Sequence, residues 1–351
     1  MRWSGQLVDA RQEPRDGQLQ LFDSTAVTRT FDTPEFRGTT FYEVKAKTVL
    51  NRVPGPSPMF SWTINPYRGC THACVYCFAR NSHTYLDLDP GHDFDSKIVV
   101  KVNAPQVLRR ELTRPSWRRE HVAMGTNVDC YQRAEGRYRL MPPIIEALAA
   151  AHTPLSILTK GTLILRDLPV LEQAARQVPV SVNFSIGSVD EQLWRTAEPG
   201  TPSPLRRLDA VNALHESGLG AGVLMAPILP YLTDTPSQLR TTVAAIAQAG
   251  ARSITPLVLH LRPGARQWYT AWLTANHPDL VERYETLYRA GSHAPKQYQQ
   301  RITTLVKQYA HEFGIGRDGD SGARRITPGT PTPASKPPAA RRPAAIQPPL
   351  I

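Results

Sequence analysis

The chain is poor in cysteine and has no long apolar run. Four cysteines in 351 residues are too few for a disulfide framework. No apolar stretch reaches the roughly 18 residues that a membrane-spanning helix needs. The opening Met1-Arg2-Trp3-Ser4-Gly5-Gln6 lacks the apolar core of a secretory signal, so a soluble, cytoplasmic protein is expected. No P-loop, HExxH or GxSxG pattern is present. Gly218-Leu219-Gly220-Ala221-Gly222 resembles part of a dinucleotide loop, but it precedes a strand-like run and therefore reads as a helix cap and turn. What is present is enough apolar content, 41%, to exclude a wholly disordered chain. The 41 Lys and Arg against 30 Asp and Glu give a net charge of +11. That balance suits a polyanionic partner and says nothing about fold.

Residues 321–351 carry eight of the 32 prolines and no aromatic residue. Such a segment cannot bury enough apolar area to offset its ordering entropy. Residues 317–351 are therefore expected to form a disordered, Pro-rich tail. Arg324, Arg325, Lys336, Arg341 and Arg342 make it basic, either as a solubilising tail or as a weak grip on nucleic acid. Residues 1–40 read as an irregular segment that wraps the surface. A strand-like lead-in runs from Thr40 to Val53.

Between about 60 and 260, short β-rich runs alternate with helical patterns. The runs are Phe60–Ile64, His121–Met124, Leu155–Leu158, Val180–Ile186, Gly222–Pro227 and Ser253–Leu259. Leu140, Ile144, Ile145 and Leu148 fall on one helix face, and Leu168, Leu171, Ala175 and Val178 repeat that spacing. Ser203-Pro204 is a helix start and Gly218 a helix end. Six strand–helix units predict parallel strands with right-handed crossovers. The fold class expected is α/β: a partial (β/α)6 TIM-type barrel over 41–262, with its chemistry at the C-terminal ends of the strands. A helical C-terminal extension over 263–316 follows. There Trp268, Tyr269, Trp272, Tyr284 and Tyr288 read as packing residues, with base stacking as the other reading.

Cys70, Cys74 and Cys77 stand in C-x3-C-x2-C spacing within Gly69-Cys70-Thr71-His72-Ala73-Cys74-Val75-Tyr76-Cys77-Phe78. Structural zinc wants four tetrahedral ligands, and here three thiols cluster with His72 the only near imidazole. An electron-transfer iron–sulfur cluster wants four cysteines. Three thiolates on a [4Fe–4S] cube leave one iron open, which is where substrate chemistry happens at other metals. Gly69 permits the turn that brings the thiols together, and Arg68 and Arg80 could offset cluster charge. A zinc-anchored nucleic-acid-binding module without turnover is the rival reading.

The spacing, with an aromatic residue before the third cysteine and the first strand of a partial barrel before the loop, resembles the radical S-adenosylmethionine superfamily. Val182-Asn183-Phe184-Ser185-Ile186, Glu198-Pro199-Gly200-Thr201, Arg207-Leu208 and Ala226-Pro227-Ile228 narrow the resemblance to spore photoproduct lyase and its relatives over residues 40–262. The resemblance implies Cys70, Cys74 and Cys77 as cluster ligands. It implies S-adenosylmethionine as cofactor, cleaved reductively to a 5′-deoxyadenosyl radical that abstracts hydrogen from a substrate. A flavodoxin or ferredoxin is the implied electron donor, and nucleic acid the implied substrate class. Tyr76 matches the aromatic residue beside the adenine. Thr126 and Ser185 match cofactor contacts, and Lys160 suits the methionine carboxylate. Glu198 and Arg207 are expected to form an ion pair that shapes the loop beneath the cofactor.

Two departures stand against thymine-dimer lysis. Where the lyase has a hydrogen-donating cysteine this chain has Met124, and where the lyase has a tyrosine after the third cluster cysteine it has Phe78. Cys130 is the candidate hydrogen donor by another loop path, against the plainer reading of a buried small hydrophobe. The stretch Asp129-Cys130-Tyr131-Gln132 is expected to face substrate.

Overall fold

A computed structural model describes residues 26–54 and 60–316. The expected tail, 317–351, and the first 25 residues lie outside the described residues. The strands are β1 (Val27–Thr30), β2 (Thr40–Val44), β3 (Leu50–Arg52), β4 (Trp62–Ile64), β5 (Tyr67–Arg68), β6 (Lys97–Lys101), β7 (Val122–Met124), β8 (Leu155–Thr159), β9 (Val180–Ser185), β10 (Gly222–Ile228) and β11 (Ser253–Val258).

The fold is mixed α/β. All six runs read from the sequence become strands β4 and β7 to β11, and they pair in parallel in chain order. Each pair is joined by a crossover containing helix, as parallel pairing requires. The sheet runs β11-β10-β9-β8-β7-β4-β3 and is open, because its end strands β3 and β11 do not pair with each other. The strands read as near-continuous apolar runs because both faces are covered; Val122, Ala123 and Met124 are all buried.

The helices begin and end where local chemistry directs. Ser203 accepts from the Arg206 N–H at 3.3 Å and Pro204 opens the helix Pro204–Glu216. Thr235 and Gln238 form a capping box at the start of Pro236–Gln248. Gly218 and Gly220 both have positive φ after the first of these helices, as a cap and turn require. The helices Met141–Ala150 and Leu168–Ala175 bury Ile144, Ile145, Leu148 and Leu171 against the sheet.

A second sheet, of order β1-β2-β6-β5, corrects the reading of the N-terminal segment. Within 26–40, β1 pairs antiparallel with β2 and Pro34–Phe36 forms a 3-10 turn. Phe31, Phe36 and Phe41 hold this segment, with ring centroids 5.3–5.7 Å apart. β6 was not read from the sequence, because Lys97 and Lys101 bracket its three apolar residues and mask the run. Its partner β5 is the two-residue stem from which the cysteine loop departs.

The helices Ala265–Asn276, Val281–Leu287 and Lys296–Glu312 share a core with β10, β11 and the cysteine-loop residues Cys74, Val75 and Tyr76. Tyr269, Tyr284 and Tyr288 are buried in it. The Tyr284 hydroxyl donates to Pro230 O at 2.6 Å and that of Tyr288 to Leu259 O at 2.7 Å. These tyrosines pack the helices onto the sheet, as expected.

Glu111 fastens β3 to the helix Ala104–Leu112. It is buried, accepts the Val49 and Leu50 N–H groups at 3.0 Å each, and also takes the Thr48 hydroxyl. Glu111→Ala strands these donors and is expected to cost about 2–4 kcal/mol in urea denaturation. Glu111→Gln, which keeps an acceptor, should cost less. A loss below about 0.5 kcal/mol for the alanine variant contradicts the assignment.

Candidate active site

The C-terminal ends of the parallel strands converge on one rim, where chemistry gathers in folds of this kind. β7 runs into the loop Gly125–Gln132, β8 is followed by Lys160, and β9 ends on Ser185 beside Ala226 of β10. The cysteine loop enters the same rim from β5. Gly69, at φ +77°, makes the entry; a Cβ there would lie 2.9 Å from the Phe94 and Lys97 carbonyl oxygens. Ala73 is also left-handed, at φ +53°. Turns close from the Ala73 N–H to Cys70 O and from the Cys77 N–H to Cys74 O, both at 3.2 Å. Cys70 and Cys74 are buried and Cys77 is half-buried.

Burial pushes all three thiols up. Asp129 adds to this at Cys70 and Glu198 at Cys74. Cys77 and Cys74 add to the rise at Cys70. Thiols this buried become thiolates when a metal coordinates them. Among the described residues, no three Cys, His, Asp or Glu side chains converge closely enough to share a single metal ion. Thiolates on one tetrahedral zinc lie about 3.8 Å apart, from a Zn–S length of about 2.3 Å. A cube carries each thiolate on its own iron. Three thiols are one ligand short of a structural zinc site, and His72, the imidazole of the loop, faces Asp129, so the zinc reading is not favoured.

Three buried pins hold the loop. Gln132 accepts the Thr71 N–H at 3.0 Å and donates to Gly69 O at 2.9 Å. Arg80, fully buried, donates to Cys74 O at 3.0 and 3.2 Å, pairs with Asp95 at 2.9 Å and stacks on Trp268 at 4.7 Å. Its main work is thus to hold a loop carbonyl. The third pin is the segment 197–200. Val75 N–H donates to Ala197 O, Gly200 N–H donates to His72 O, and a Cβ on Gly200 would sit 2.0 Å from Thr71 O.

Asp129 is the hub that sequence reasoning missed. It accepts from the Thr159 hydroxyl and the Lys160 N–H at 2.6 Å each and from the Tyr131 N–H at 2.8 Å, and it faces His72 at 3.4 Å. Burial pushes its carboxyl up, but His72 and these donors bring it down to about 2. The expectation that 129–132 faces substrate is corrected: Cys130, Tyr131 and Gln132 are buried, and Asp129 is bonded into the scaffold of the cysteine loop. No sequence pattern marks Asp129 and Gln132, because the partners that tie them to β8 and the cysteine loop lie 30 or more residues away.

Beside the thiols lies a second knot, centred on Glu198. One carboxylate oxygen accepts from the Tyr76 hydroxyl and lies 3.4 Å from Lys160 Nζ; the other accepts from Arg207. The expected Glu198–Arg207 ion pair is present and buried. Arg207 also donates to Thr201 Oγ1 at 2.8 Å and Ser185 O at 2.9 Å. Lys160 Nζ donates to Ser185 Oγ at 2.7 Å and stands 5.7 Å over the Tyr76 ring. Burial pushes the Glu198 carboxyl up, while Arg207, Lys160 and the Tyr76 hydroxyl bring it down to about 2. Tyr76, Glu198, Trp194, Gly187, Pro227 and Leu229 line a cleft next to this knot.

The structure therefore brings Tyr76, Lys160 and Ser185 together. Thr126 is half-buried on the loop after β7, and no hydrogen bond among the described residues joins it to that group. Cys130 is fully buried in the main core. Burial, Asp129 and Glu135 all push its thiol up.

Comparison with known proteins follows this geometry. The model of the radical SAM superfamily matches residues 64–241. An uncharacterised protein of Mycobacterium tuberculosis is 51% identical over 315 residues, which cover 88% of this chain and 93% of the relative. An uncharacterised protein of Methanocaldococcus jannaschii is 30% identical over 192 residues, covering 55% of this chain and 69% of the relative. Among solved structures, a spore photoproduct lyase variant superposes with a TM-score of 0.61 at 18% identity, covering 79% of this chain and 80% of the other. A second variant, with bound AdoMet and dinucleoside spore photoproduct, gives 0.57 at 18% identity, covering 74% and 76%. This identity speaks for the fold alone.

The Glu198 knot sets a pH dependence. A carboxyl depressed to about 2 contributes stability that is present above its unfolded value, near 4.5, and is lost as pH falls through 2. The urea midpoint should therefore fall between about pH 5 and pH 2. Glu198→Gln should flatten this fall in part, with Asp129 supplying the remainder. An unchanged pH slope in the variant contradicts the assignment.

Proposed function

The chain belongs to the radical SAM superfamily, and we propose that it is an enzyme that uses a three-thiol [4Fe–4S] site to start radical chemistry on a nucleic-acid substrate. Its cofactors are a [4Fe–4S] cluster and S-adenosylmethionine. When bound and reduced, they supply methionine and a 5′-deoxyadenosyl radical, which takes hydrogen from the substrate. The observation that carries the reading is the single loop that presents three cysteines in C-x3-C-x2-C spacing, inside the segment that matches the superfamily.

In this reading Cys70, Cys74 and Cys77 would hold the cluster through three thiolates and leave one metal position for S-adenosylmethionine. The ring of Tyr76 offers a flat face to the adenine from the edge of the cleft. Lys160 presents a fixed positive charge to the carboxylate, balanced by Glu198. Ser185 orients Lys160, and the hydroxyl of Thr126, on the neighbouring loop, would be a further contact to the cofactor. The knot around Glu198 sets satisfied polar atoms beside Lys160 and Tyr76. Cys130 is the candidate hydrogen donor. The six parallel strands within 41–262 form the partial (β/α)6 barrel, and 263–316 a helical extension that closes one side. A flavodoxin or ferredoxin supplies the electron.

The substrate class rests on the net charge of +11 and on the likeness in fold to a lyase variant bound to a dinucleoside. Met124 and Phe78 turn the reaction away from photoproduct lysis, because neither side chain carries a hydrogen-donating thiol or phenol.

Anaerobic reconstitution should give about four irons per chain. Dithionite and S-adenosylmethionine should then yield 5′-deoxyadenosine, and Cys74→Ala should lower the yield at least 100-fold. Unchanged turnover in the variant removes the loop from the mechanism. For the substrate, deuterated DNA, RNA and peptide are offered in turn, with and without irradiation. Deuterium should enter 5′-deoxyadenosine from nucleic acid; entry from peptide alone contradicts the substrate class.

A further inference from the structure

The face opposite the catalytic rim carries a dense group of arginines. The helix Ala104–Leu112 ends at the N-terminal side of the sheet, and residues 113–121 lead from it into β7. Arg109, Arg110, Arg114, Arg118 and Arg119 are all exposed there. Arg52, exposed on the edge strand β3, joins them: it is in register with Trp62, which packs on Trp117 with ring centroids 5.4 Å apart. Among the described residues none of these six arginines is in an ion pair.

The two carboxylates within residues 104–121 are already engaged. Glu111 is buried under β3, and Glu120 accepts from the Trp62 indole N–H at 2.8 Å. The loops that enter β8 and β9 on this face, 151–154 and 176–179, contain no acidic residue, and the second adds exposed Arg176. Like charges held this close repel and lower stability. The basic end of the helix is favoured by its dipole, which accounts for Arg109 and Arg110 alone.

The backbone that carries Arg114 and Arg118 is pinned. Trp117 Nε1 donates to Thr153 Oγ1 at 3.0 Å, and the Trp117 N–H donates to Arg114 O at 2.9 Å. This fastens the loop between Arg114 and Arg118 to the bottom of the sheet. Arg119 sits at φ +57°, a left-handed conformation that costs a non-glycine residue energy. Local packing does not explain an exposed arginine held there. Every exposed cation of the segment is an arginine, whose planar fork matches phosphate oxygens in pairs.

We propose that this face, built from Arg52, Arg109, Arg110, Arg114, Arg118 and Arg119, is a second contact surface that grips the phosphodiester backbone of a nucleic acid, separate from the catalytic rim. A nucleic acid strand carries one charge per 3.4 Å of duplex axis, and exposed guanidinium groups without ion-pair partners can neutralise its phosphates. The rim recognises the reacting group, and this face supplies affinity without sequence preference.

The test uses the full-length protein and fluorescently labelled 20-nucleotide DNA and RNA of mixed sequence, single-stranded and duplex, titrated from 50 to 300 mM salt. The variant Arg114→Gln/Arg118→Gln/Arg119→Gln should weaken duplex binding tenfold or more at 100 mM salt. It should also reduce the slope of log K against log salt by about 2.7, three lost contacts at about 0.9 each. The triple lysine variant at the same positions should keep most of the slope. A control of equal net charge, Arg289→Gln/Lys296→Gln/Lys307→Gln, should leave both quantities nearly unchanged, which separates a local grip from overall charge. Release of 5′-deoxyadenosine without nucleic acid should be the same in all variants, so the catalytic reading is tested apart from this one. Equal losses in the test and control variants overturn the proposal. So does unchanged binding in the test variant. Binding to phosphatidylserine vesicles or polyglutamate that the test variant loses, with nucleic acid binding intact, assigns the face to another polyanion and also overturns it.

Discussion

The carboxylate of Glu198 is the interaction on which the candidate site depends. A buried carboxylate alone would protonate or disrupt its surroundings. Here two cations and a phenol surround it: Arg207, Lys160 and Tyr76. Those three residues come from the helix Pro204–Glu216, the end of β8 and the cysteine loop. Removing the carboxylate would leave two buried cations facing each other, which costs far more than a surface pair would. The geometry of Tyr76 and Lys160, the two residues best suited to an aromatic and an anionic ligand, therefore follows from one shared anion.

The same device recurs behind the site. Asp129 joins the β7 loop, the end of β8 and His72 of the cysteine loop. Glu135 accepts from the Tyr67 hydroxyl, the Leu140 and Met141 N–H groups and Arg166, and so ties the stem of the cysteine loop to the next helix. These carboxylates are satisfied by several donors each, which is the condition under which buried charge specifies a structure. A short loop with little apolar content of its own is thereby held against the sheet at several points. A reactive radical needs such a setting, since a mobile loop would admit water and misplace the reacting atoms.

Much of this was legible in the sequence. The six parallel strands could be read because each is a short apolar run between helical patterns, and the C-x3-C-x2-C loop because its spacing is local. The Glu198–Arg207 pair was also legible, since nine residues separate the partners along one turn and helix start. The second sheet was not. β1 has three exposed residues of four, and β6 hides its apolar centre between lysines. The hubs were not legible either, because Asp129, Gln132 and Glu135 gain their meaning from partners far along the chain. Arg80 was read as a charge near the cluster, and burial turned it into a clamp on a carbonyl.

The central claim is that three thiols hold a cluster whose remaining iron binds S-adenosylmethionine. Electron–nuclear double resonance of the reduced, reconstituted protein addresses it most directly, with the cofactor labelled by nitrogen-15 at the amino group and by oxygen-17 at the carboxylate. Hyperfine couplings from both labels at the cluster are predicted. A fully formed cluster with bound S-adenosylmethionine and neither coupling would contradict the account.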